Sequence, residues 1–205
     1  MLNVGLTGGI ASGKSSVARS LVEKGAFLID ADAIVHELET PGAEIWKEIV
    51  AHFGKEILKE DQAIDRRRLG AIVFADAGAR ETLNSLVHPA VHEERHRRIA
   101  AISASHSQAI ILSDVPLLFE TEMQGDFDLV LLVYVRPATQ RERLVVRDGF
   151  SHEEAEARLA SQMPITAKLA LADLVIRNDG DFAEMERQVE TVWEALIKRE
   201  REKGI

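Results

Sequence analysis

Four short apolar runs rich in branched residues punctuate the chain: Leu2 to Leu6, Ala109 to Leu112, Leu129 to Val135 and Leu174 to Ile176. A fifth, Phe27 to Ile29, is shorter. Continuous runs of this length, without polar alternation, mark strands buried on both faces. Between them, Ser15 to Glu23, Thr139 to Arg147, His152 to Ser161 and Phe182 to Arg199 carry helical patterns. Strands separated by helices predict an α/β fold, a five-stranded parallel sheet covered on both faces. The stretch from about residue 33 to 107 has helix patterns and no convincing strand, which predicts a helical insertion between the second and third strands. A second strand-free stretch, about 136–172, holds helices, several arginines and Pro164, and reads as a lid. No repeat, low-complexity tract or linker divides residues 1–205. The expectation is therefore one unit, with a core of about 1–32, 108–135 and 173–205.

A chain of 205 residues can bury one sizeable core without requiring two independent domains. Hydrophobic residues at 46% and charged residues at 29% fit an ordinary globular protein. With no cysteine, a disulfide framework, a thiolate metal site and thiol catalysis are excluded. No secretory pattern opens the sequence, and no apolar run approaches the roughly 20 residues of a membrane helix, so a cytoplasmic location is expected. The net charge of -9 argues against broad nucleic-acid binding. Arg66, Arg67 and Arg68, and the run Arg95, His96, Arg97 and Arg98, are positive islands that read either as solvated helix faces or as a patch for an anion.

The chemistry announces itself directly after the first strand. Gly8-Gly9-Ile10-Ala11-Ser12-Gly13-Lys14-Ser15 fits G-x-x-x-x-G-K-[ST] and opens into a helical pattern. Such a loop wraps its N–H groups and the positive helix N-terminus around phosphate oxygens. Lys14 would reach the β- and γ-phosphates and the Ser15 hydroxyl would sit on Mg²⁺. Ile29-Asp30-Ala31-Asp32 stands at the end of the second strand, where open α/β sheets place their ligands. Asp30 or Asp32 can serve as a base toward an attacking hydroxyl or as a helix N-cap, and position alone leaves both open. Asp114, at the end of the third strand, is a candidate Mg²⁺ ligand or the start of a turn. Arg143 and Arg147, four residues apart on one helical face, can clamp phosphates or pair with nearby acids. A regulatory GTPase is disfavoured: no Asp has a Gly three residues later, and no Asn-Lys-x-Asp or Thr-Lys-x-Asp is present to read guanine. Another small-molecule kinase, such as a nucleoside monophosphate kinase, and a non-catalytic ATP switch remain as rivals.

Taken together, Leu6 to Ser15, Asp30-Ala31-Asp32, His88-Pro89 and Asp114-Val115-Pro116-Leu117-Leu118-Phe119-Glu120 resemble the dephospho-CoA kinase family. Gln140, Arg143-Leu144 and Arg147 resemble its lid motif. Arg158, Gln162, Lys168, Ala172-Asp173 and Asn178-Asp179-Gly180 resemble its C-terminal signatures. The resemblance implies a three-layer P-loop core, a helical acceptor-binding insertion and a lid, with transfer of the ATP γ-phosphate to the ribose 3'-hydroxyl of dephospho-CoA. It also makes Asp32 the base and Asp30 its support, with Lys14, Arg143 and Arg147 on the phosphates and Ser15 and Asp114 on Mg²⁺. Gly8, Gly9, Ala11, Ser12, Gly13, Lys14, Ser15 and Ser16 would hold ATP, with Asn178 and Gly180 at its adenine end. His88, Pro116, Leu117, Leu118 and Phe119 would lie near the acceptor, although helix start and core packing explain them equally well. The chain departs from the family pattern at Ala11, where glycine is usual, and at Ser16, where threonine is common. The partners implied are ATP and dephospho-CoA, with no nucleic acid, membrane or obligate protein partner.

Overall fold

The computed structural model describes residues 1–204. In chain order they form β1 (Leu2–Gly8), α1 (Lys14–Glu23), β2 (Phe27–Asp30), α2 (Ala31–Leu38), α3 (Glu44–Phe53), α4 (Arg66–Ala75) and α5 (Ala77–Ser105). There follow β3 (Ile110–Asp114), β4 (Leu129–Tyr134), α6 (Pro137–Glu142), α7 (His152–Ala160), α8 (Ile165–Lys168), β5 (Leu174–Arg177) and α9 (Phe182–Lys203). The chain divides into two compact units: Met1–Ile29 with everything from Ile102 onward, and Asp30–Ala101.

In the first unit the five-stranded parallel sheet has the order β2-β3-β1-β4-β5. The central strand β1 is buried throughout and pairs Leu6 with Asp114 on one side and with Leu131 on the other. Strand side chains alternate between faces. Leu2, Val4 and Leu6 of β1 and Leu129, Leu131 and Val133 of β4 therefore join Val17 and Leu21 of α1 and Val189 and Leu196 of α9 in one core layer. On the opposite face, Leu132 and Tyr134 pack with Ile165 of α8. Burial on both faces is why these strands are continuously apolar.

The five expected strands are present, with ends shifted by one or two residues. The expected helix Thr139 to Arg147 is instead α6 followed by a π-helical turn, Arg143–Arg147. That turn closes through the Asp148 N–H donating to the Arg143 carbonyl at 3.1 Å, five residues back. The wider turn changes what each arginine meets, as described below.

The second unit is helical apart from an isolated antiparallel bridge between Leu58 and Ile64. Its core is Ile49, Phe53, Ile57, Ile64, Leu69 and Val87. Asp65 caps α4 by accepting from the Arg67 and Arg68 N–H groups at 3.0 and 3.2 Å. The positive islands are largely paired within this unit. Arg66 meets Glu39 at 2.5 Å, and Glu94 accepts from Arg97 and Arg98 at 2.7 Å each. Hydrogen bonds from Arg97, and then from Arg98, hold the Glu94 carboxyl down at about 2.

Candidate active site

The segment between β1 and α1 turns tightly, and glycine is required where distant side chains press on it. Gly13 caps α1 with φ +84°, and a Cβ there would run into the Asn178 amide. A Cβ on Gly9 would collide with the Gln140 amide and come within 3.2 Å of Ile165 Cδ1. Ala11 is also left-handed, with φ +58°, so its methyl imposes a strain of roughly 1–2 kcal/mol.

Three successive loop carbonyls are taken by side chains from elsewhere in the unit. The Ile10 carbonyl accepts from Gln140 Nε2 at 2.8 Å. Those of Ala11 and Ser12 accept from Arg143 Nη1 at 3.1 and 3.3 Å. Ser12 O also receives Asn178 Nδ2 at 2.8 Å, and Arg143 Nη2 donates to the Asn178 carbonyl at 2.7 Å. Because a trans peptide sets C=O and N–H in opposite directions, the outward-bound carbonyls of Ile10 and Ser12 turn the Ala11 and Gly13 N–H groups inward, while the Ser12 N–H is taken by the Gly9 carbonyl at 3.1 Å. The first N–H groups of α1 lack partners within the helix, so the loop and helix start together form an anion cradle.

At the end of the cradle Lys14 forms an ion pair with Asp114, which β1 and β3 bring alongside by registering Leu6 with Asp114. Asp114 is buried, whereas Ser15 and Ser16 are exposed on the first turn of α1. The Ser15 hydroxyl and Asp114 carboxylate are hard oxygen donors of the kind Mg²⁺ takes together with phosphate oxygens and water. Among the described residues no cluster of three or more acidic, histidine or cysteine side chains could hold a metal alone.

The other expected residues are distributed as follows. Asp30 is the N-cap of α2, its carboxylate accepting from the Ala33 N–H at 3.1 Å. Asp32 is exposed in the first turn of α2, and His88 is exposed on α5. Leu117 is 41% exposed, but Leu118 is fully buried against the Gly5 face of β1 and Phe119 is also buried. Leu118 and Phe119 pack into the core, and Pro116 and Leu117 carry what exposure this segment has. Thr7 Oγ1 donates to the Pro116 carbonyl at 3.2 Å, fixing that segment to β1. Arg147 does not accompany Arg143 onto the loop; its guanidinium donates to Asp148 at 2.7 and 3.0 Å. Asp179, beside Asn178 and Gly180, accepts from Arg136 N at 2.9 Å and Thr139 Oγ1 at 2.8 Å, tying the β5 exit to the start of α6.

Two further groups carry structure that single-sequence reading did not assign. Gln162 Oε1 accepts the Ile10 N–H at 2.9 Å, so Ile10 is held by two glutamines. Lys168, fully buried, pairs with Glu120 at 2.8 Å, and Glu120 also accepts the Met163 N–H at 2.9 Å. The available signal was the family resemblance, which includes Glu120, Gln162 and Lys168 without giving their partners.

The sequence profile of the dephospho-CoA kinase family matches residues 2–184. The chain belongs to the dephospho-CoA kinase family. It is 48% identical to the dephospho-CoA kinase of Syntrophus aciditrophicus, over 98% of this chain and 86% of that one. Identity to the Streptomyces avermitilis dephospho-CoA kinase is 44%, over 100% and 98% of the two chains. Among solved structures, the Campylobacter jejuni dephospho-CoA kinase superposes with a TM-score of 0.73 at 28% identity, covering 96% of this chain and 97% of that one. A Thermus thermophilus protein superposes at 0.80 with 31% identity, covering 95% and 97%. Family membership makes the chain a kinase with ATP as phosphate donor, in agreement with the resemblance carried by its motifs.

Proposed function

We propose that this kinase transfers the γ-phosphoryl group of ATP to the ribose 3'-hydroxyl of dephospho-CoA, giving CoA and ADP in the last step of CoA synthesis. The observation that carries the reading is the phosphate loop from Gly8 to Ser15, with its carbonyls bound outward and Lys14 at its end, in a chain matched to the family from residue 2 to 184. The loop N–H groups and Lys14 bind the phosphates of ATP. Ser15 and Asp114 are the residues that would hold Mg²⁺, which would supply charge neutralisation to the phosphate oxygens. Ser16, next along α1, adds a hydroxyl at the same helix start.

Asp32, exposed and at the start of α2, accepts the proton of the attacking hydroxyl as the oxygen–phosphorus bond forms. His88, Pro116 and Leu117 are acceptor residues on this reading, and acceptor binding is the role of the second unit. Residues 136–172 act as the lid, excluding water as a competing nucleophile. Arg147 reaches the transferring phosphoryl by exchanging Asp148 for phosphate oxygens, while Arg143 acts by holding the loop. Asn178 supports the loop from behind, and Gly180 lies two residues further along the same turn, beside the adenine end. The enzyme works in the cytoplasm on small molecules; no helix among the described residues is long and apolar enough to cross a membrane.

The test is ADP release with ATP and Mg²⁺, comparing dephospho-CoA with AMP, adenosine and no acceptor. Selective turnover of dephospho-CoA to a 3'-phosphorylated product is expected. Turnover of AMP, or ATP binding with no acceptor-stimulated turnover, would overturn the reading.

A further inference from the structure

Ile10 is held on both of its backbone groups by amide side chains from opposite ends of one segment. Gln140 lies in α6, near the start of residues 136–172, and donates Nε2 to the Ile10 carbonyl at 2.8 Å. Gln162 lies after α7, near the end of that segment, and its Oε1 accepts the Ile10 N–H at 2.9 Å. The orientation of each amide is fixed chemically, because a carbonyl only accepts and a backbone N–H only donates. Gln140 is buried at 4% exposure, so its bond is shielded from competing water.

The consequence falls on the next residue. Ala11 sits at φ +58°, a conformation its methyl disfavours. Rotation of the Ile10–Ala11 peptide plane would relieve that strain, and it would also turn the Ile10 carbonyl oxygen toward the phosphate site and the Ala11 N–H away from it. Gln140 holds that plane, Gln162 holds the one before it, and Arg143 holds the one after through the Ala11 carbonyl at 3.1 Å. Strained backbone persists only where its surroundings over-determine it.

We propose that Gln140 and Gln162 are positioning residues for ATP: by bracing Ile10 they keep the Ile10–Ala11 peptide in the orientation that presents an N–H, and not a carbonyl oxygen, to the nucleotide phosphates. The proposal rests on the reading of this loop as the ATP site and adds to it which residues outside the loop set its affinity.

The two bonds have opposite polarity, which makes the brace testable by charge and by shape. Gln140→Met removes the donor without adding charge, and Gln140→Glu places a carboxylate against a carbonyl. Gln162→Met removes the acceptor, whereas Gln162→Glu retains one. ATP affinity is measured by calorimetry on the full chain without acceptor, alongside melting temperature and steady-state kinetics. The expected result is ATP binding weakened roughly 3- to 10-fold in both methionine variants, the range of one or two lost hydrogen bonds. Gln140→Glu should be at least as weak, and Gln162→Glu should recover most of what Gln162→Met loses. The acceptor KM and kcat at saturating ATP should stay within about twofold, since the bonds act on donor binding. Wild-type affinity in both methionine variants would overturn the brace, as would equal loss in Gln162→Glu and Gln162→Met. Parallel loss of kcat and both KM values with a lowered melting temperature would also overturn it, by assigning the glutamines to stability alone. Failure of the wild-type chain to bind ATP would instead overturn the reading of the loop itself.

Discussion

The phosphate loop and the first turn of α2 are built in opposite ways. From Ile10 to Ser12 every loop carbonyl is bound by a side chain, Ser12 is buried, and Lys14 and Asp114 hold each other. At α2, Asp30 spends its carboxylate on the helix cap while Asp32 stands exposed. A polyanion is bound best by N–H groups already aimed at it, because their reorganisation on binding would be costly. A base for an incoming hydroxyl must remain reachable until that hydroxyl arrives. On the proposed reading, the donor side is thus prepared in advance and the acceptor side is left open.

The largest effect should come from Lys14. Lys14→Ala should lower kcat/KM by about 10²–10³-fold or more, with the fold retained by circular dichroism, since it removes a charge placed on the transferring phosphate. Retained activity would break the contrast at the donor side. Next is the pair of buried Lys168 with partly exposed Glu120, which has the same prepared character. Glu120→Gln leaves a fully buried ammonium without its anion and should cost about 3–5 kcal/mol, lowering the melting temperature by roughly 10 °C. The double replacement Glu120→Leu with Lys168→Met should recover most of that loss, because an apolar pair needs no desolvation.

Ala11→Gly should act in the other direction. Relief of the left-handed methyl, less the entropy that glycine loses on folding, leaves a gain of about 0.5–1 kcal/mol, seen as a melting temperature higher by roughly 2 °C. The smallest effect should be at Glu94 in the second unit. Its carboxyl is lowered from 4.5 to about 2, first by Arg97 and then by Arg98, so its stabilisation is present above pH 4.5 and lost as pH falls toward 2. Glu94→Gln should lower urea stability modestly at neutral pH, because the carboxylate is near the surface and screened, change little near pH 2, and so flatten the fall over that window.

Much of this architecture was legible in the sequence, for a physical reason. Strands buried on both faces read as apolar runs, and a phosphate cradle demands Gly13 and Lys14 at fixed spacing. The insertion's helices were legible as well, since Ile49, Phe53 and Leu69 recur on buried faces. What escaped depends on partners distant in sequence. Nothing near Gln140 or Gln162 indicates that both meet Ile10, and the pattern at Arg143 and Arg147 suggests a shared helical face that the π-helical turn does not provide. Asn178, expected at the adenine end, spends its amide on the Ser12 carbonyl. Leu117 and Leu118 look alike in sequence, and only packing sends one outward and the other into the core.

The measurement that tests the division most directly is Asp32→Asn, with turnover of dephospho-CoA and equilibrium ATP affinity determined on the same preparation. The account predicts a fall in kcat of about 10²-fold or more, within the range of general-base catalysis, with ATP affinity unchanged. Unchanged turnover, or ATP binding lost in step with it, would contradict a prepared donor loop served by a separate, waiting base.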